Sequence, residues 1–183
     1  MTRKKLATVW LDGCSGCHMS FLDMDERLLA LADSIELVYS PLVDFKQFPE
    51  RVDLTLVEGA VSSEDDLKKI RHIRQHTRVL ISLGDCAVTA NVPSMRNPFG
   101  VKAILDAVYQ QPDLLNQQPD LLNAQVPSEG VPSLLPVARP VHMVVPVDVY
   151  VPGCPPSADQ IYFVVSELLA ERQPDLRRML RFG

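Results

Sequence analysis

Cysteine occupies four positions in the chain. Cys14 and Cys17 form a C-x-x-C pair, whereas Cys86 and Cys154 stand singly, in Gly84-Asp85-Cys86-Ala87 and Pro152-Gly153-Cys154-Pro155-Pro156. Four thiolates suit either an iron-sulfur cluster or a zinc ion. Structural zinc usually draws on two close pairs carried on knuckle turns. One pair and two single cysteines suit the cluster better, since a cluster is broader than a lone ion. Two other readings stay open at this level. A C-x-x-C in a β/α setting could be a thioredoxin-like dithiol, which leaves Cys86 and Cys154 without a task. Cys86 alone could be a core thiol, because free cysteine is among the most buried residue types. Gly13, Gly16, Gly84 and Gly153 flank the cysteines and would let backbone amides approach inorganic sulfide, where hydrogen bonds tune a cluster's potential.

These cysteines must be brought together by the elements that carry them. Lys5 to Leu11 is a short apolar run and predicts a strand, followed by a loop and a helical pattern from about Ser20, with Phe21, Met24, Leu28, Leu29 and Leu31 near one face. Ile35 to Tyr39 and Asp53 to Val57 predict further strands, and Ser63-Glu64-Asp65-Asp66 opens a capped helix running to about His76. Arg78 to Leu83 predicts a fourth strand, Phe99 to Tyr109 a helix, Val147 to Val151 a fifth strand, and Ala158 to Glu171 a last helix. Strands alternating with helices give an α/β domain: a flavodoxin-like, doubly wound parallel sheet, expected as a single domain over residues 1–183. Cys14 and Cys17 follow the first strand, Cys86 the fourth and Cys154 the fifth. All four therefore fall at carboxyl ends of strands, the edge where such sheets bind ligands. The helix after Cys17 would add partial positive charge there.

The stretch from Gln111 to Pro146 carries seven prolines and no sustained period, and is expected as an irregular proline-rich insertion before the last strand that gains order against a partner. Within it, Gln110 to Asn116 recurs word for word as Gln117 to Asn123. A proline in each copy excludes a coiled coil.

Composition narrows the function classes. The 183 residues, 46% apolar and 22% charged, suffice for one domain with a buried core. A net charge of −5 removes the lysine and arginine excess that nucleic-acid binding needs. No apolar run approaches the ~20 residues of a membrane span, and the N-terminus carries no signal-peptide core, so the expectation is a cytoplasmic chain whose cysteines are reduced and available to metal or redox chemistry.

In order along the chain, Trp10-Leu11-Asp12-Gly13-Cys14-Ser15-Gly16-Cys17-His18-Met19-Ser20, Val57-Glu58-Gly59-Ala60-Val61, Gly84-Asp85-Cys86-Ala87 and Val151-Pro152-Gly153-Cys154-Pro155-Pro156 resemble the successive motifs of nickel-iron hydrogenase small subunits. The short small subunit of cytoplasmic NAD-reducing hydrogenases is the nearest likeness. The resemblance implies one proximal [4Fe-4S] cluster on Cys14, Cys17, Cys86 and Cys154, in an electron-transfer subunit that is not catalytic alone and works in an obligate hetero-oligomer. It implies a nickel-iron centre in a hydrogenase large subunit, and diaphorase subunits carrying FMN, the NAD site and further iron-sulfur clusters. Longer small subunits carry medial and distal clusters, whereas no cysteine follows Cys154 here. A related quinone-oxidoreductase subunit typically has two adjacent cysteines in place of Cys14-Ser15-Gly16-Cys17. A zinc-stapled scaffold is the alternative from another class.

Among the remaining polar residues, Glu58 ends the third strand on the cysteine edge, where a part in moving protons or orienting a cluster neighbour competes with a plain salt bridge. His72 and His76 lie four apart on a helix among Lys68, Lys69, Arg71 and Arg74, which points to a solvated basic face. For His18, beside Cys17, tuning of a cluster by hydrogen bonding competes with the favoured reading of an interface or surface histidine, and Trp10 and Phe21 are expected in the core or a subunit contact.

Overall fold

A computed structural model describes residues 3–110 and 126–179. The central strand of the main sheet, β3 (Val52–Glu58), is buried along nearly its whole length. This follows from a sequence of apolar residues facing both ways, the pattern of a strand covered on two faces. Around it the parallel sheet runs in the order β2-β1-β3-β5-β7, where β1 is Lys4–Trp10, β2 Ile35–Tyr39, β5 Thr77–Leu83 and β7 Val149–Val151. Counted within this sheet, the order is 2-1-3-4-5, the doubly wound flavodoxin-like arrangement anticipated from the alternation of strands and helices. The direction of winding reverses between β1 and β3, so a crevice opens there at the carboxyl edge.

Each strand's alternate side chains feed different cores. Leu54 and Leu56 of β3 and Ile81 and Leu83 of β5 meet Phe21, Met24, Ile161, Val164 and Leu168 on one face. Val57 and Leu80 meet Ile70, Ile73 and Ala87 on the other. The first face is covered by α1 (Gly16–Leu22), α2 (Glu26–Ala32) and α7 (Ala158–Leu169), and the second by α3 (Glu64–His76). Two of these helices start with capping boxes. Ser63 Oγ accepts from Asp66 N–H at 3.1 Å while Asp66 accepts from Ser63 N–H at 3.0 Å, and Ser157 and Gln160 make the same exchange.

Several boundaries depart from the sequence expectation. The first helix starts at Gly16 rather than near Ser20, and it breaks at Asp25, whose φ of 48° separates α1 from α2. The break turns Leu29 out to solvent although it shares the apolar spacing. Two short helices, α4 (Asp85–Thr89) and α5 (Asn91–Ser94), follow β5. Each is too brief to leave a readable period. The helix expected from Phe99 begins at Val101, forming α6 (Val101–Tyr109).

The expectation of an irregular stretch up to Pro146 is corrected within the described residues. Leu134–Arg139 forms β6, antiparallel to β4 (Val61–Ser63) in a separate two-stranded sheet, and Val141–Met143 makes a 3-10 turn. Pro136 lies inside β6, tolerated because a two-stranded sheet consists only of edges. Residues 111–125, including nearly all of the tandem repeat, lie outside the described residues. Among those described, no helix is long and apolar enough to cross a membrane.

Candidate metal centre at the carboxyl edge of the sheet

Cys14 and Cys17 follow β1, Cys86 lies in α4 directly after β5, and Cys154 follows β7. Because these strands are parallel members of one sheet, the four thiols share its carboxyl edge, where the sequence placed them.

The loops that carry them are tied to one another by hydrogen bonds that involve no sulfur. Between β1 and β3, Asp12 and Ala60 exchange backbone bonds, Ala60 N–H to Asp12 C=O at 2.7 Å and Asp12 N–H to Ala60 C=O at 3.1 Å. The close crossing requires Gly59, with φ of 93° and Asp12 backbone within 2.9 Å of where a Cβ would stand. Between the Cys86 and Cys154 loops, Asp85 N–H donates to Gly153 C=O at 2.8 Å, and Gly153 N–H donates to the Asp85 carboxylate at 2.7 Å. Ser20 of α1 donates its hydroxyl to Pro156 C=O, joining the C-x-x-C segment to the third loop.

The thiols differ in exposure. Cys17 is buried, Cys86 half-buried, and Cys14 and Cys154 exposed. Two receive N–H donors: Cys14 from Gly16 N at 3.4 Å and Cys154 from Asn91 Nδ2 at 3.8 Å. Burial pushes the Cys17 thiol far up, and the charges of Glu58, Cys14, Cys86 and Cys154 add to the effect. Burial also raises Cys86, opposed by the Val92 N–H and reinforced by Cys154, Cys14 and Glu58. Each of these two thiols therefore resists ionising beside the others. A cationic metal is the kind of group that relieves such a set, since it binds thiolates and displaces their protons.

Four thiols on one sheet edge are the kind of donor set that an iron-sulfur cluster or a zinc ion uses. Every thiol that the sequence nominated is on the edge, and the wall beside Cys17 is kept bare by Gly84, where a Cβ would stand 2.2 Å from the Cys17 sulfur. A Cβ on Gly16 would come within 3.2 Å of Cys14 Sγ. Among the described residues, no three or more His, Cys, Asp or Glu side chains gather as a site for one metal ion.

Other nominated residues are placed as follows. Glu58 is 1% exposed and His18 5%, so His18 is not a surface histidine. Glu58 Oε2 accepts the His18 peptide N–H at 2.9 Å and contacts the His18 ring at Nδ1, while Oε1 accepts the Cys17 N–H at 3.4 Å. His72 is exposed, and its backbone carbonyl meets His76 Nδ1 at 2.8 Å. That helix end adjoins the start of β5, away from the thiols. Phe21 joins the core, whereas Trp10 is 43% exposed and donates its indole N–H to Gly13 C=O at 3.2 Å. Sequence reasoning missed Asp85, Asn91 and Ser20. Their only local signal is that each lies within a few residues of a cysteine or its partner loop. Trp10, Met19, Val92, Met95 and Phe99, near the thiol-bearing loops, leave large apolar side chains exposed.

Residues 14–168 match the family model described as NADH ubiquinone oxidoreductase, 20 Kd subunit. The chain is 42% identical over 175 residues to the delta subunit of the NAD-reducing hydrogenase HoxS of Cupriavidus necator, covering 94% of this chain and 81% of that one. It is 34% identical to a subunit of the F420-non-reducing hydrogenase of Methanocaldococcus jannaschii, covering 94% of this chain but only 58% of the relative. A crystal structure of an NAD+-reducing [NiFe]-hydrogenase in the H2-reduced state contains a chain that superposes with a TM-score of 0.89 at 35% identity, covering 100% of both chains.

Proposed function

Since the chain belongs to the NADH ubiquinone oxidoreductase 20 Kd subunit family and, within it, to the small subunits of NAD-reducing hydrogenases, we propose that Cys14, Cys17, Cys86 and Cys154 hold one [4Fe-4S] cluster. In this role the chain is the electron-transfer small subunit of a cytoplasmic nickel-iron hydrogenase. When bound, such a cluster takes up and releases single electrons, which suits a relay between a nickel-iron centre in a large subunit and an NAD-reducing diaphorase with FMN and further iron-sulfur centres. The observation that carries the assignment is that three loops, far apart in sequence, bring all four thiols to one sheet edge and are hydrogen-bonded to each other there.

The chain's own residues supply position, desolvation and access. Cys17 anchors the buried side, while Cys14 and Cys154 lie toward solvent. Asn91 and the Gly16 amide direct N–H groups at two sulfurs, the arrangement that stabilises sulfur carrying negative charge. Trp10 and Met19, which flank the C-x-x-C segment, are exposed apolar side chains that a large subunit would cover, excluding water from the thiol edge.

Replacing Cys86 with serine in the complete complex tests the assignment. Hydrogen-dependent NAD reduction is expected to vanish while nickel is retained in the large subunit, and iron and acid-labile sulfide are expected to fall together. Unchanged turnover refutes it, as does stoichiometric zinc bound to this chain in place of iron and sulfide after anaerobic purification.

A further inference from the structure

The N-terminus of α1 has no cap of its own. Its N-cap residue, Ser15, sits at φ 64° and makes no capping bond; its hydroxyl is instead directed to Cys14 C=O at 2.6 Å. In α3 and α7 the corresponding serines accept from the third residue of the helix. In α1 the unpaired donors are the N–H groups of Cys17 and His18, and both are taken by the Glu58 carboxylate from the end of β3. The same carboxylate holds the His18 ring through Nδ1.

We propose that Glu58 is a positioning residue for the cluster: its carboxylate fixes the Cys14–His18 segment in the binding conformation and sets a negative charge beside the cluster that holds its reduction potential down. The inference rests on the proposed cluster assignment.

Stability alone does not explain Glu58. A carboxylate 1% exposed at the end of the central strand, on the face that carries Leu54 and Leu56, bears a desolvation cost that an apolar side chain would avoid. Its partner does not complete a closed network either, because His18 Nε2 is buried with no hydrogen-bond partner among the described residues. What the carboxylate does accomplish is local to the thiols. It is bonded to the peptide of Cys17, and a Cβ on Gly13 would stand 3.7 Å from its Oε1, so it sits directly under the C-x-x-C loop. A negative charge in that place opposes an electron added to a cluster held by the same loop.

The test uses the complete complex, purified anaerobically, with Glu58→Gln and Glu58→Ala beside the wild type. Iron and acid-labile sulfide are assayed, and the electron paramagnetic resonance signal that Cys86→Ser removes is followed through a redox titration. Glu58→Gln, which keeps an acceptor oxygen but loses the charge, is expected to retain iron, titrate at a higher potential than wild type and show an altered signal. Glu58→Ala is expected to lose most of the iron assigned to this chain. A wild-type midpoint in Glu58→Gln together with wild-type iron in Glu58→Ala overturns the proposal. If the alanine variant fails to assemble, the glutamine midpoint alone decides. Should Cys86→Ser remove no signal, the cluster assignment itself fails, an outcome separate from either Glu58 result.

Discussion

Alanine at Gly84 and alanine at Gly100 would meet nearly the same backbone conformation in different surroundings, which makes the pair a sharp test of how closely the thiol edge is packed. Gly84 lies at φ 81°, ψ 161° and Gly100 at φ 76°, ψ 160°. Holding a side-chain-bearing residue in that region costs ~1–3 kcal/mol, so the backbone penalty is common to both substitutions. At Gly100 the new methyl meets nothing within 4 Å, whereas at Gly84 it stands 2.2 Å from the Cys17 sulfur. Ordinary contact needs ~3.5 Å or more, so the sulfur or the loop must move by over ~1 Å. Overpacking of this kind adds ~1–3 kcal/mol. G100A is therefore expected to cost ~1–3 kcal/mol and G84A ~2–6 kcal/mol. At ~2–4 °C per kcal/mol for a chain of this size, G84A should melt ~2–12 °C below G100A. Thermal unfolding by circular dichroism measures the difference, and iron analysis after anaerobic purification measures its consequence, because only G84A displaces a proposed ligand. Coincident melting curves, or equal iron in the two variants, would refute the claim that the wall beside Cys17 has room for glycine alone.

Two further substitutions separate the site from the scaffold. Asp85→Ala removes the carboxylate that accepts from Gly153 N–H, a charged hydrogen bond of ~1.5–3 kcal/mol; the urea midpoint of the apo chain should fall, Cys154 should alkylate faster, and Asp85→Asn should recover most of both. Ser63→Ala deletes the α3 capping box at a cost of ~1 kcal/mol, and should lower the melting temperature while leaving iron content and Cys154 alkylation unchanged.

The strand and helix alternation was legible because β1, β3 and β5 are short apolar runs bounded by turn residues, and α3 and α7 carry both a serine cap and a sustained apolar stripe. The placement of Cys14, Cys17, Cys86 and Cys154 on one edge followed directly, since a parallel sheet leaves no other place for residues just past its strands. The elements that escaped did so for physical reasons. α4 and α5 span five and four residues, little more than one turn each. β6 contains Pro136 and pairs only with the three-residue β4, so neither alternation nor length marked it. His18 looked like a surface residue because its neighbours Met19 and Cys17 give opposite cues; its burial depends on a carboxylate 40 positions away.

That long-range dependence bears on how the site is built. The bonds joining the three thiol loops run from Asp85 to Gly153 and from Ser20 to Pro156, while Asp12–Ala60 and Glu58–Cys17 tie the first of them to the end of β3, and in none of these is sulfur the donor or acceptor. Small metal domains whose only long-range ties are metal-sulfur bonds unfold when the metal leaves. Here the sheet and its cores are built almost wholly from other residues, Cys17 being the one thiol that joins a core, and the loops are held by bonds that need no metal. On the proposed function, the fold therefore supplies a preorganised receptor for the cluster, and its loss should leave the secondary structure intact. On the same reading, the exposed side of that receptor, with Cys14 and Cys154 open to solvent, is the part that the chain would not complete alone. Protection of the cluster from water then falls to the large subunit, which links electron transfer to assembly: an unassembled chain would hold its thiols in position but leave two of the four accessible to oxidation.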